Sequence, residues 1–154
     1  MPVHARLDEL GITLPPAVAP VANYVPYRLT GSLLVIAGQL PMQEGKPAYQ
    51  GVLGSDAITL EEASDAARLC ALNVLAQAAA ALDGDLDRIA ACIRLGVFVA
   101  ASEDFGEHPA VANGASDLIV EVLGDTGLHA RAAVGCSSLP LGVPVEVEAM
   151  FEVG

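Results

Sequence analysis

Between Thr59 and Gly84 the chain carries a long run in which apolar residues return at helical spacing, and most of them are alanine. Leu60, Ala63, Ala67, Cys70, Ala71, Val74, Ala78 and Leu82 share one face, while Glu61, Asp65, Arg68 and Gln77 lie on the other. Thr59 followed three residues later by Glu62 is a capping box, and Gly84 supplies the stop, so the spacing predicts one long helix. An inner face made mostly of methyl groups lets the helix axis lie close to a sheet. The rest of the chain must therefore provide a sheet for this helix to cover.

The strand signals meet that demand. Tyr24 to Arg28 and Leu33 to Gln39, around the turn Thr30-Gly31-Ser32, predict a β-hairpin, and the Gly- and Pro-containing stretch from Gln43 to Ser55 predicts a surface loop. From Ile89 to Val99 the residues alternate, with Ile89, Ala91, Ile93, Leu95, Val97 and Val99 expected on one face. Pro109 suits a first helical turn, and the pattern from Val111 to Leu123 predicts a second, shorter helix closed by Gly124. Arg131 to Ser138 and Val143 to Val153 predict two strands joined by Leu139-Pro140-Leu141-Gly142. In the last, Val145, Val147, Ala149 and Phe151 oppose Glu146, Glu148 and Glu152. The order β-β-α-β-α-β-β implies an α+β domain over residues 23–154, a mixed sheet with two helices on one face. Residues 1–22 read as an N-terminal arm, with a short helix from His4 to Leu10 and a Pro-rich run from Leu14 to Pro20.

Charge narrows the partners. Seven Lys and Arg against 19 Asp and Glu give a formal charge of −12, a field that repels polyanions, so nucleic acid and anionic membranes are excluded as expected partners. No apolar stretch reaches the length of a spanning helix and the N-terminus has no signal pattern, which points to a cytoplasmic protein. A mean hydropathy of +0.51 without a membrane segment predicts apolar surface buried between subunits, hence a homo-oligomer. Cys70, Cys92 and Cys136 are odd in number and widely spaced, and read as small buried hydrophobes. His4, His108 and His129 have no metal-ligand spacing, so no metal site is expected.

Chemistry concentrates at Arg131. From Leu95 to Gly154 there are nine acidic residues, and Arg131 is the only Lys or Arg. It opens a strand of small apolar residues, where a lone guanidinium is costly unless a carboxylate or an anionic ligand meets it. One reading is a structural ion pair with Glu146, and the other is a clamp for an anionic ligand.

The stretch Arg131-x-x-Val134-x-x-x-x-Leu139-Pro140-x-x-x-x-Val145-Glu146-Val147-Glu148-Ala149 resembles the C-terminal signature of the YjgF/RidA family. Gly38-Gln39-Leu40-Pro41 is similar to the family's Gly-Gln-aliphatic-Pro segment, and Tyr24 stands 14 residues before Gly38. The resemblance covers residues 20 to 153. It implies a chorismate-mutase-like fold and a homotrimer with a central barrel, with ligand sites in the clefts between subunits. It also implies hydrolysis, without cofactor, of reactive imines and enamines of the 2-aminoacrylate and 2-iminobutyrate type to 2-keto acids and ammonia.

Carried over residue by residue, Arg131 would clamp the substrate carboxylate with a planar fork of donors, and Glu146 would activate water and return a proton to the leaving nitrogen. Tyr24 would close the cleft, and Gly38 would let the backbone approach the ligand. Ala133 stands where the family has Cys two positions after the Arg, leaving only its backbone groups to bind substrate. His129, where the family often has Pro, reads as a surface residue. Asn113 falls one residue out of step with a family Asn and carries no assignment. The alternative function is a non-catalytic trimer that binds small carboxylate metabolites or partner proteins. RNA cleavage, an activity attached to some relatives, is disfavoured by a net charge of −12 and a single Lys.

Overall fold

The computed structural model describes residues 1–20 and 22–154. Its elements in chain order are α1 (Val3–Glu9), β1 (Tyr27–Thr30), β2 (Leu33–Gln39), β3 (Met42–Gln43), β4 (Lys46–Pro47), α2 (Leu60–Ala81), β5 (Ile89–Ala100), α3 (His108–Leu123), β6 (Ala130–Cys136) and β7 (Val145–Val153). Five strands form one sheet in the order β1-β2-β7-β5-β6, antiparallel throughout except for the parallel pair β5 and β6. The expected α+β domain with a mixed sheet is thus present, and α2 and α3 both pack on one of its faces.

The capping box forms as expected: Thr59 Oγ1 accepts from the Glu62 amide at 3.1 Å, and Glu62 Oε1 accepts from the Thr59 amide at 3.0 Å. Behind it Ala63, Ala66, Ala67, Ala71 and Ala78 are fully buried, so α2 lies close against β7 and α3. At the centre of the sheet Phe151 is opposite Leu34 on one side and Cys92 on the other, with no exposed surface. Its truncation to Ala would cost about 3–5 kcal/mol, the usual loss for a buried aromatic. Among the described residues no helix is long and apolar enough to cross a membrane.

The arm packs onto the body. Val3 and Leu7 join the core, the Val3 amide donates to Asp87 Oδ1 at 2.7 Å, and Arg6 Nε donates to the Glu121 carbonyl at 2.8 Å. Further on, the buried Gln77 of α2 donates to the Val18 carbonyl at 2.6 Å.

Leu139–Gly142 joins two strands as expected, and these are not neighbours in the sheet, because β7 lies between β2 and β5 while β6 pairs only with β5. Two sequence expectations need correction. Register shifts in β5 between Ile89 and Ala91 and between Cys92 and Arg94 break the simple alternation. An extra residue in a bulge reverses the side-chain direction beyond it, so Cys92 is buried and Ile93 is 41% exposed. Finally, β1 begins at Tyr27, and Tyr24 lies in the bend before it.

Candidate functional site

The sheet has one covered face and one bare face, and the site residues divide between them. In β6, Arg131 and Ala133 are opposite Leu95 and Val97, two buried residues that face the helices. Glu146 of β7 is opposite Phe98, whose register partner on β6 is Val134, so Glu146 faces away from the helices. Arg131 and Glu146 of one chain therefore lie on opposite faces of the sheet, and no ion pair joins them among the described residues.

What holds Arg131 is α3. Its Nη1 donates to Asn113 Oδ1 at 2.9 Å and to Ser116 Oγ at 3.1 Å. Asn113 and Ser116 are three residues apart, so both point from one flank of the helix toward the strand. Nε and Nη2 have no intramolecular partner among the described residues, which leaves one edge of the fork free for a planar anion. Ser116 Oγ lies 2.8 Å from His129 Nε2, and His129 Nδ1 lies 2.6 Å from the Gly127 carbonyl. Asn113, which the sequence left without an assignment, and His129, which read as a surface residue and is instead half-buried, are thus part of the Arg131 environment. The signal that could have found the helix pair is the i, i+3 spacing of Asn113 and Ser116 beside an otherwise apolar face. Ala133 packs its methyl group against the core. As β6 ends the sheet, one row of its backbone groups has no partner strand among the described residues.

On the bare face, Glu146 is half-buried in a cleft lined by Gly38, Phe98, Cys136, Ser138, Leu139 and Glu148. Burial first, and then the neighbouring charge of Glu148, raise its carboxyl above the usual glutamate range. Burial and the charge of Glu146 also push the Cys136 thiol up, which makes it a poor nucleophile. Glu148 has a cation of its own, with Arg94 Nη1 at 4.0 Å, and Glu146 has none among the described residues.

Gly38 lies where the β2–β7 register shifts between Ile36 and Gln39. A Cβ there would stand 2.9 Å from Glu146 Cδ and closer still to Oε1. The missing side chain is therefore the space that the Glu146 carboxylate occupies. Gly38 also lines a second, largely apolar cavity of about 130 Å³ with Tyr24, Leu40, Met42, Leu141 and the arm residues Val18 to Pro20. The structure thus brings Tyr24, Gly38 and Glu146 into two adjoining clefts, and Arg131 and Ala133 line neither.

A mixed five-stranded sheet with two long helices on one face defines a chorismate-mutase-like α+β protein. Residues 4–152 match a family described as "YjgF/chorismate_mutase-like, putative endoribonuclease". The chain is 49% identical to Protein TCP17 of Trypanosoma cruzi over 152 residues, covering 98% of this chain and 94% of that protein. Its fold is similar to the crystal structure of protein Atu1372 of Agrobacterium tumefaciens, with a TM-score of 0.91, 50% identity and coverage of 99% of this chain and 92% of the other. It is also similar to a Shewanella oneidensis MR-1 protein that carries the same endoribonuclease description, with a TM-score of 0.94, 37% identity and coverage of 99% and 100%. The chain belongs to the YjgF/chorismate-mutase-like family.

Proposed function

We propose that this protein hydrolyses reactive 2-imino and 2-enamino acids, of the 2-iminobutyrate and 2-aminoacrylate type, to 2-keto acids and ammonia in clefts between the subunits of a homotrimer. The observation that carries the reading is the Arg131 guanidinium, fixed through one nitrogen by neutral acceptors and free along its Nε–Nη2 edge. A carboxylate fits that edge with two parallel hydrogen bonds.

The bare face supports the assembly. Val35, Phe98, Val134 and Met150 all lie on it by register, and none of the four is buried in the single chain. A second copy placed there would bury this apolar surface and bring its own Glu146 or Arg131 toward the other's partner.

In the proposed reaction Arg131 holds the substrate carboxylate and Glu146 takes a proton from water as its oxygen bonds to the imine carbon. Glu146 gives that proton to the imine nitrogen, then takes the proton of the new hydroxyl and passes it to the same nitrogen, so that as the carbonyl forms the carbon–nitrogen bond breaks and ammonia leaves with the keto acid behind; an enamine first gains a proton at its terminal carbon and loses one from nitrogen to become the imine. A carboxyl group with a raised pKa suits both transfers, since it gives up and regains a proton near neutrality more evenly than an ordinary glutamate. Imine and ketone stand at the same oxidation level, so the reaction calls for no electron carrier. RNA cleavage finds no basic track here, with seven Lys and Arg against 19 Asp and Glu.

The test is keto-acid release from 2-iminobutyrate and 2-aminoacrylate generated in situ by a dehydratase. Acceleration by the wild type that disappears in Arg131→Ala supports the reading. A rate equal to the spontaneous one, with the assembly intact, overturns it in favour of a non-catalytic carboxylate binder.

A further inference from the structure

We infer that Ser116 and His129 are positioning residues for Arg131, forming a polarised hydrogen-bond chain that aims the guanidinium at the substrate carboxylate. The inference rests on the carboxylate clamp proposed above and extends it to two residues whose role is to orient the clamp.

The direction of the chain follows from its far end. The Gly127 carbonyl can only accept, so His129 Nδ1, at 2.6 Å, must carry the proton. In the neutral ring Nε2 is then an acceptor, and the Ser116 hydroxyl at 2.8 Å must donate to it. That donation fixes the hydroxyl rotor and turns the Ser116 lone pairs toward Arg131, whose Nη1 donates at 3.1 Å. With Asn113 Oδ1 accepting from the same nitrogen at 2.9 Å, both Nη1 protons are committed and the plane of the guanidinium is set. Rotation that would pair Nε or Nη2 internally would leave these acceptors empty.

The end of the chain is anchored to the helix layer. The 3-10 turn Gly124–Gly127 closes α3, and a Cβ at Gly127 would stand 2.6 Å from the Ile119 carbonyl oxygen and 3.1 Å from Leu123 Cβ. The turn therefore seats directly on the last turns of α3, and Thr126 Oγ1 ties it down further with a hydrogen bond to the Leu123 carbonyl at 2.9 Å. Arg131 is thus oriented by α3 twice, directly through Asn113 and Ser116 and indirectly through Gly127 and His129.

The experiment measures pyruvate affinity by calorimetry and steady-state kinetics on in situ 2-iminobutyrate for wild type, Ser116→Ala, His129→Leu and His129→Gln. Loss of the Ser116 bond to the charged guanidinium predicts about tenfold or more weaker pyruvate binding and a comparable rise in KM for Ser116→Ala, and loss of the neutral Ser116–His129 bond roughly two- to tenfold for His129→Leu. Because the chain holds the clamp and not the water, kcat stays within about twofold. His129→Gln, which keeps an acceptor near the Nε2 position, recovers most of the affinity. Nitrogen NMR of the wild type is expected to place the His129 proton on Nδ1. Unchanged affinity and KM in Ser116→Ala, or the proton on Nε2, overturns the inference. Pyruvate binding without imine hydrolysis removes the proposed reaction and leaves the chain to be judged on affinity alone. No pyruvate binding by the wild type overturns both.

Discussion

Gly38 offers the sharpest test of the Glu146 assignment, because its substitution moves that carboxylate without changing it. In Gly38→Ala the new methyl carbon would stand 2.9 Å from Glu146 Cδ and 3.1 Å from Cγ, where carbon–carbon contacts settle at about 3.5–4.0 Å, so the side chain must retreat by roughly 1 Å. Backbone strain plays no part, as Gly38 is outside the left-handed region. An off-rotamer glutamate costs about 1 kcal/mol, which lowers Tm by about 2–4 °C in a chain of this size. A 1 Å misplacement of a reacting group, by contrast, costs about 10²-fold in rate. Initial rates of keto-acid release would be read beside Tm, with Thr59→Ala as a control that loses a similar stability through the capping box of α2. The expected pattern is a fall in kcat of about 10²-fold with KM little changed for Gly38→Ala, and wild-type kinetics for the control. A folded Gly38→Ala enzyme with wild-type kcat would refute the role of Glu146. A rise confined to KM would instead mean that the methyl group obstructs substrate.

Three further outcomes follow from the geometry. Since Glu146 has a raised carboxyl pKa in the folded chain, the folded state binds more protons between the ordinary glutamate value and the raised one, and stability falls as pH rises through that window. Glu146→Gln abolishes this fall, so urea unfolding should find it more stable relative to wild type at neutral pH than below the ordinary glutamate range. Gln77→Leu releases the Val18 carbonyl and should cost about 1 kcal/mol while exposing the amides of Ala17, Val18 and Ala19 to faster exchange. Sedimentation should give three copies per particle, and Val134→Lys, on the bare face and 49% exposed in the single chain, should shift the protein toward monomers.

Local chemistry made much of this fold readable. Thr59 and Glu62 announce α2, and Pro109 and Gly124 bracket α3, because caps and breakers act within a turn of where they stand. What failed to show was which strands pair. The connection after β6 climbs over the end of β5 through Leu141 at φ 59° and Gly142 at φ 72°. The Ala100 amide donates to the Pro144 carbonyl and the Ala101 amide to the Cys136 carbonyl, both at 2.9 Å, so β5 is held from both sides. Four residues with a Pro and a Gly look the same whether they close a hairpin or step across a strand. The bulges in β5 were equally hidden, since period-2 counting assumes an unbroken ladder. The same blindness explains why the sequence could offer an Arg131–Glu146 ion pair: each strand's alternation is legible alone, but their relative facing is set by the β5 registers that join them.

That facing has a consequence for catalysis. The carboxylate that Arg131 would bind and the carbon that Glu146 would supply with water are joined by one carbon–carbon bond of about 1.5 Å, so both residues must reach the same small ligand. Within one chain the sheet separates them. Slipping β6 by one residue would turn Arg131 to the bare face, but it would also expose the Ala133 methyl now packed on the core and empty the Asn113 and Ser116 acceptors. A second copy, as proposed, would achieve the convergence without disturbing either strand, and this is testable with two dead proteins. Arg131→Ala and Glu146→Gln are each expected to be inactive alone. Unfolded together at equal amounts and refolded into mixed trimers, they should place an intact Arg131 opposite an intact Glu146 in about a quarter of the clefts. Activity near that fraction of wild type places the two residues on different subunits. A mixture as inactive as its parents, with mixed trimers confirmed by mass, would mean that each cleft draws both groups from one chain and that the sheet rearranges when substrate binds.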